Sequence, residues 1–275
     1  MAETLTLMAV HAHPDDEASS TGGVLARCSA QGIRTVVVTC TNGEFGDAPG
    51  QVKPGADGHD EQAVAELRLA ELRTSCKVLG VTDLELLGYH DSGMPEWDYR
   101  NRPDAFCNVP LGLVASRITT LIEQYRPQVV VSYNPAGSYQ HPDHVHAALA
   151  AAAAADASVI PAKFYQTAMR RSSWRLVMEA LRDAGQDVGD WAETPKDRVK
   201  ADLEEQRITT TVDITDVLEV KREALLSHAS QIAGSWFSKI PPEIAARAFG
   251  HESFIRASDT TGAALPEADL FAGLR

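Results

Sequence analysis

The stretch HAHPDDE, residues 11–17, decides the fold class of this chain, because it directly follows the apolar run LTLMAV of residues 5–10. A short, continuous apolar run is typical of a strand buried inside a parallel sheet. Buried strands do not usually end in two histidines and three carboxylates. Open α/β sheets build their sites at the carboxyl ends of their strands. The stretch therefore predicts an α/β protein with a polar site at one edge of its sheet.

The rest of the first 166 residues alternates β-rich runs with helical patterns. Strands are predicted at residues 4–10, 34–41, 83–88, 128–133 and 162–167. Helices are predicted at residues 18–31, 61–79, 111–125 and 142–155. This alternation favours an α/β fold with a Rossmann-like, mostly parallel sheet and helices on both faces.

The pattern is less regular after residue 166. It predicts helices at 172–184 and 217–230 and a strand at 207–214. We therefore expect one domain spanning residues 1–275, with a core over about 1–166 and a smaller C-terminal lobe over about 167–275.

Composition argues against several partners. A formal net charge of −13 disfavours nucleic acid and anionic membranes. No apolar run reaches the roughly 18 residues that a transmembrane helix needs, and the first residues lack a signal-peptide pattern. We expect a cytoplasmic protein that acts on a small molecule, and a homo-oligomer is left open. No GxGxxG motif follows the first strand, which argues against a dinucleotide. The cysteines are too scattered for structural zinc or a disulfide framework.

A second polar cluster, GSYQHPDHVHAA at residues 137–148, follows the fourth predicted strand. The two clusters hold five of the nine histidines. Helix capping would explain Pro142 and Asp143, but it leaves His144 and His146 unexplained. Because both clusters lie at strand ends on the same sheet edge, we expect them to meet in space.

Histidine and aspartate at this density suit a divalent ion, with Zn²⁺ favoured and Fe²⁺ as the alternative. A catalytic zinc has three protein ligands, which His13, Asp16 and His144 could supply. Asp15 and His141 would then remain beside the open position. A free carboxylate there suits a general base, and an imidazolium opposite would stabilise an oxyanion.

The paired motifs HAHPDDE and HPDHVH resemble those of the LmbE-like zinc amidases and de-N-acetylases, the family of the PIG-L-type deacetylases. Further segments, such as ELRLAELRTSCKVLGV at 66–81 and LPEADLFAGL at 265–274, resemble the mycothiol branch of that family. The resemblance covers essentially the whole chain. It implies an LmbE-like fold, one metal ion per chain and hydrolysis of an amide on a glucosaminyl-inositol substrate.

The resemblance also implies individual roles. His13, Asp16 and His144 would bind the metal. The implied catalytic positions are the general base Asp15, the oxyanion-facing His141, Asp143 as the residue that orients and tunes His141, and Tyr139 as a donor to the scissile carbonyl oxygen.

Substrate contacts are implied as well: Arg68 and Asp91 at the inositol end, Ser20 and Met94 at the acyl side, and His228 at the substrate mouth. Two of these positions have simpler interpretations. Arg68 could form an exposed ion pair with Glu71, and Asp91 could merely make an Asx turn.

The resemblance favours a mycothiol S-conjugate amidase, which releases an N-acetylcysteine conjugate, over the alternative, an N-acetylglucosaminyl-inositol deacetylase of mycothiol biosynthesis. Segments 221–237 and 265–274 look more like the amidase. Ser20, where amidases of the branch tend to carry lysine, and Met94 point to the deacetylase. Bulky groups that could line an amidase groove are Trp97, Trp236 and Phe237. A non-catalytic metal- and sugar-binding protein is a third interpretation, but it would not need both Asp15 and His141.

Overall fold

A computed structural model describes residues 4–137, 139–183, 185, 195–232 and 240–275 of the chain. Within these residues, seven strands form one sheet in the order β3-β2-β1-β4-β5-β7-β6. The strands are β1 (Thr6–His11), β2 (Arg34–Thr41), β3 (Asp83–Tyr89), β4 (Val129–Tyr133), β5 (Lys163–Ala168), β6 (Thr210–Asp213) and β7 (His251–Asp259). Strands β1 to β5 are parallel, whereas β7 runs antiparallel to both β5 and β6.

Helices cover both faces of the sheet. They are α1 (Asp16–Ala30), α2 (Glu61–Leu79), α3 (Leu111–Tyr125), α4 (Pro142–Ala157), α5 (Arg171–Asp183), α6 (Pro195–Gln206), α7 (Leu218–Leu226), α8 (Ala229–Ile232) and α9 (Pro242–Phe249). None of the helices in the described part of the chain is long and apolar enough to span a membrane.

Strand β1 shows why the sheet has two cores. Successive side chains of a strand point to opposite faces. Leu7 and Ala9 accordingly lie in a cluster with α1, α2 and α7, while Met8 and Val10 lie in a cluster with α3 and α4. The continuous apolar run of β1 is thus explained by burial on both sides, and the predicted α/β fold is confirmed.

The order of the strands determines where in the fold the site lies. Strand β2 lies on one side of β1 and β4 on the other, so the order of the parallel strands reverses between β1 and β4. A crevice opens outside the carboxyl ends of two strands at such a switch point. The two motifs follow β1 and β4 respectively, and therefore enter the same crevice.

The C-terminal segment continues the sheet through β7 and β6, so the smaller lobe of our prediction shares its sheet with the core. The helix predicted at 217–230 is two helices, α7 and α8, separated around His228. Strand β7 and helices α6 and α9 were not predicted from the sequence. The proposed division of the domain near residue 166 stays a prediction.

Glu267 links the strands in this part of the sheet through hydrogen bonds. Its buried carboxylate accepts hydrogen bonds from Lys163 on β5 (2.5 Å), Arg256 on β7 (2.9 Å) and Thr210 on β6 (2.9 Å). The Tyr165 hydroxyl donates a further bond of 2.7 Å. One carboxylate therefore joins three neighbouring strands, and removing its charge would leave a fully buried ammonium group on Lys163 without its counter-ion.

We expect Glu267→Gln to lower the free energy of unfolding by about 3–5 kcal/mol, the usual cost of breaking a buried ion pair. Urea unfolding followed by circular dichroism measures this change. Glu219→Gln is the matched control, because Glu219 forms an ion pair with Arg222 on the protein surface and should change stability by less than about 1 kcal/mol. Equal effects of the two substitutions would contradict the role of Glu267.

Candidate active site

The loop between β1 and α1 holds Asp15 in an unusual backbone conformation. Asp15 has φ 108° and ψ −24°, a region that costs a non-glycine residue of order 1–3 kcal/mol. Its N–H donates to Glu17 Oε2 (3.0 Å), and Arg68 Nη2 donates to its Oδ2 (3.0 Å) and to Pro14 O (2.7 Å). These contacts hold the Asp15 carboxylate at the crevice, where the side chain is 27% exposed.

The electrostatic surroundings of Asp15 suit a base. Burial raises the pKa of this carboxyl group above its ordinary value, and the nearby Arg68 offsets only part of that effect. A carboxylate with a raised pKa accepts a proton more readily at neutral pH. The structure thus places the predicted base at the crevice, and its role remains a prediction.

His13, Asp16 and His144 come together as a group that can hold a metal ion, with one ligand atom from each within 4.8 Å of the others. Asp16 Oδ2 lies 3.4 Å from His13 Nδ1 and 3.3 Å from His144 Nε2. Two ligands bound to zinc at about 2.0–2.1 Å in a tetrahedron lie about 3.3–3.4 Å apart. The donor types and both distances therefore fit the predicted ion.

The other ring nitrogen of His13 explains the position of Asp143. His13 Nε2 lies 3.1 Å from Asp143 Oδ2, and the Ser92 N–H donates to the same oxygen at 2.9 Å. The Ser92 hydroxyl bonds the second oxygen of Asp143. A metal-binding histidine usually donates its free N–H to a carboxylate in this way. The carboxylate of Asp143 thus orients His13, while its main-chain N–H contacts His141. The predicted role of Asp143 toward His141 stays a prediction.

A second possible ligand group shares His13 and consists of His13, His141 and Asp143. We favour the first group, because Asp143 already accepts hydrogen bonds from Ser92 on both carboxylate oxygens. Burial lowers the pKa of His13, but the carboxylates of Asp91, Asp143 and Asp16 raise it by more. The net result is a pKa well above the ordinary value. The surrounding carboxylates therefore favour a cation at this position, and a metal ion would replace the proton.

His141 lies at the start of α4 and caps that helix. Its Nδ1 accepts a bond of 3.2 Å from the Asp143 N–H, so its proton lies on Nε2. Burial lowers the pKa of His141 to about 3. This shift favours a neutral ring that donates a hydrogen bond through Nε2. The predicted role of His141 toward the oxyanion stays a prediction.

Tyr139 lies over His141 and His144 of the second motif. Its ring centroid is 5.0 Å from that of His144 and 6.2 Å from that of His141. The residue is 58% exposed. The predicted oxyanion donor is thus next to His141 and open to a substrate.

Tyr133 lies under His144, one of the three predicted metal ligands, but was not itself predicted as a site residue. Its ring stacks on His144 at 4.1 Å, and its hydroxyl accepts a 2.7 Å bond from the Ala12 N–H. Tyr133 therefore links the ends of β4 and β1. Its position at the end of the predicted fourth strand was the available signal.

Arg68 and Asp91 are both buried beside the cluster. Arg68 donates to Gly43 O at 2.7 Å and to the Asp15 loop, so the exposed pair with Glu71 is excluded. Asp91 accepts from the Gly93 N–H (2.8 Å), as an Asx turn requires, but it also lies 3.6 Å from His13 Nε2. Their contacts with substrate remain predictions.

The remaining predicted substrate positions differ in placement. His228 is fully buried and bonds Glu17, so its prediction as a residue at the substrate mouth is wrong. Ser20 and Met94 are half-buried, and within the described part of the chain no hydrogen bond joins either side chain to the cluster. Trp97 packs edge-on against Tyr99. Trp236 and Phe237 lie outside the described residues.

Comparisons with known proteins show the family to which this chain belongs. Residues 8–155 match the family model PIG-L, described as GlcNAc-PI de-N-acetylase. The chain is 39% identical to the 1D-myo-inositol 2-acetamido-2-deoxy-alpha-D-glucopyranoside deacetylase of Acidothermus cellulolyticus, over 98% of this chain and 95% of that protein. It is 34% identical to the mycothiol S-conjugate amidase of Streptomyces coelicolor, over 100% and 99% of the two chains.

Among solved structures, N,N'-diacetylchitobiose deacetylase from Pyrococcus horikoshii with its inhibitor MPG shares the fold. The TM-score is 0.58 at 18% identity, over 92% of this chain and 84% of the other. This chain belongs to the PIG-L family. The resemblance inferred from the two motifs is confirmed, and with it the class of enzyme, a hydrolase that acts on amides.

Proposed function

We propose that this enzyme hydrolyses the amide on the amino-sugar nitrogen of a glucosaminyl-inositol, in a metal-dependent reaction. The observation that carries the proposal is the partly exposed Asp15 held at positive φ beside the group formed by His13, Asp16 and His144. A base and a three-ligand metal group together suit hydrolysis, whereas a protein that only binds sugar needs no base. Similarity over the full length to two glucosaminyl-inositol enzymes supports the substrate class.

His13, Asp16 and His144 would hold one ion per chain, with Zn²⁺ as our proposal and Fe²⁺ as the alternative. When bound, such an ion polarises a carbonyl group and lowers the pKa of a water molecule. Asp143, through His13 Nε2, keeps the ring of that ligand in one orientation.

The residues around the ligands would divide the remaining chemistry. Asp15 takes a proton from the attacking water, whose oxygen forms the new bond to the amide carbon. The Nε2–H of His141 and the hydroxyl of Tyr139 donate to the oxyanion that develops. The C–N bond then breaks, and the proton held by Asp15 passes to the departing amine.

The two candidate functions differ in the acyl group that the enzyme would remove. We propose the S-conjugate amidase, on the segments at 221–237 and 265–274 that resemble it. The second candidate is the acetyl-sugar deacetylase, which is favoured by the 39% identity with a protein of that name and by Met94 and Ser20.

We expect the purified enzyme to cleave bimane-labelled mycothiol with a higher kcat/KM than N-acetylglucosaminyl-inositol, because an amidase groove must bind the larger cysteinyl group. Amine release from both substrates, measured at matched concentrations, gives the ranking. A chelator-treated sample is the control for metal dependence. The opposite ranking would assign the enzyme to the deacetylase side, and no hydrolysis of either substrate would refute the proposed function.

A further inference from the structure

The segment SHASQ, residues 227–231, leads from the end of α7 into α8 and contacts the first turn of α1 and helix α2. His228 Nε2 lies 2.7 Å from Glu17 Oε1. Ser230 donates through its N–H and its hydroxyl to Glu71 at 2.8 and 2.7 Å. The side chains of His228 and Glu17 are both completely buried. Nothing in the proposed reaction uses this contact directly.

Glu17 connects His228 to the proposed base. Its Oε1 accepts hydrogen bonds from His228 and from the Ser75 hydroxyl. Its Oε2 accepts the N–H of Asp15 at 3.0 Å. An unbroken path of hydrogen bonds therefore runs from the ring of His228, through one carboxylate, to the main chain of Asp15.

The contact matters because of the backbone conformation of Asp15. A non-glycine residue rarely has φ near 108° unless its surroundings hold it there. Arg68 holds the Asp15 carboxylate, but the partner of its backbone N–H is Glu17. If the Glu17 carboxylate turned away, Asp15 would lose that partner and could relax to negative φ. Its side chain would then leave the crevice.

We propose that His228 and Glu17 are positioning residues, which fix the backbone of Asp15 so that its carboxylate faces the substrate. The inference rests on the proposed function, since it assigns a means of aligning the base of that same reaction. His228 acts by fixing the carboxylate of Glu17 and does not touch the substrate.

A second buried pair provides a matched control. Lys221, also on α7, bonds Glu252 at 2.6 Å, and the Glu252 carboxylate accepts the N–H groups of Gly23 and Val24 on α1, both at 2.8 Å. The arrangement is the same: a cationic donor, a buried glutamate and the backbone of α1. Gly23 lies eight residues after Asp15, about 12 Å along a helix, so this pair cannot orient Asp15.

The test compares His228→Leu, His228→Gln and Lys221→Met with the wild-type enzyme. Glutamine can place its amide nitrogen near the position of Nε2, and leucine removes the donor. We expect His228→Leu to lower kcat about 100-fold, as small misplacements of a reacting group do, while KM changes less than about threefold and metal content is unchanged. His228→Gln should recover at least about a tenth of wild-type kcat, and Lys221→Met should lower the Tm without lowering kcat.

A crystal structure of His228→Leu supplies a readout that is independent of activity. We expect the φ of Asp15 to leave the value of 108°. An unchanged φ, or a kcat equal to that of the wild type, would overturn the proposal. So would an equal loss of kcat in Lys221→Met, because the effect would then be one of stability alone. If His228→Leu does not fold, Glu17→Gln provides the same two readouts, because an amide offers one acceptor oxygen where the carboxylate of Glu17 uses two. Wild-type enzyme inactive on both substrates would refute the proposed function, whereas the φ of Asp15 would still decide the positioning role.

Discussion

Replacing His144 by alanine is expected to release the metal ion and to abolish hydrolysis. His144 contributes one of the three ligand atoms of the favoured group, and its Nε2 lies 3.3 Å from Asp16 Oδ2. Replacing a residue that only hydrogen-bonds to a metal ligand typically lowers metal affinity or activity by about 10–100-fold. Replacing the ligand itself should therefore lower them by more than about 100-fold. Metal analysis by plasma mass spectrometry and the amine-release assay measure the two effects.

His146→Ala is the matched control for His144. The two histidines lie on the same helix, but His146 packs edge-on against Phe106 and belongs to neither ligand group. Its replacement should leave about one ion per chain, the usual content of a catalytic zinc site. If His144→Ala kept its metal and His141→Ala lost it, the second group, with His13, His141 and Asp143, would be the metal site.

Asp15→Asn is expected to keep the metal and to lower kcat by about 10²–10⁴, the usual contribution of general acid–base catalysis. Asparagine preserves the size of the side chain and an oxygen that Arg68 can bond. It removes the basic carboxylate and little else. Metal content, KM and kcat of the purified variant provide the measurement.

Asp104→Asn serves as the control for Asp15, because Asp104 pairs with Arg102 at the surface, outside both ligand groups. Its kcat should equal that of the wild type. Loss of metal from Asp15→Asn would make Asp15 a ligand and would contradict the division of the two neighbouring carboxylates into a base and a ligand.

Local patterns predicted the core of the fold and the meeting of the two motifs. The apolar run of β1 and the polar residues after it reflect burial on both faces and a site at the strand end, and both can be recognised within about ten residues. Parallel winding then brings β1 and β4 side by side. The two local motifs and the parallel winding were enough to predict that His13 lies near His144.

The features that were missed depend on contacts between distant parts of the chain. Asp143 bonds Ser92 and His13, which lie 51 and 130 residues away, and no local pattern indicates which histidine a carboxylate will orient. His228 is polar and follows a helix, so the sequence suggests a position in solvent; its partner Glu17 lies 211 residues away. Strand β7, HESFIRASD, is too polar to be recognised as a buried strand.

The position of β7 has a consequence for the nascent protein. It lies between β5 and β6 in the sheet, although it follows both in the chain. During synthesis β6 therefore has no neighbour to join, and the free edge of β5 exposes unpaired N–H and C=O groups until β7 emerges. Such an edge is a template for pairing with other chains. A chain shortened before residue 251 could thus still bring both motifs together, yet it would be prone to aggregate along β5.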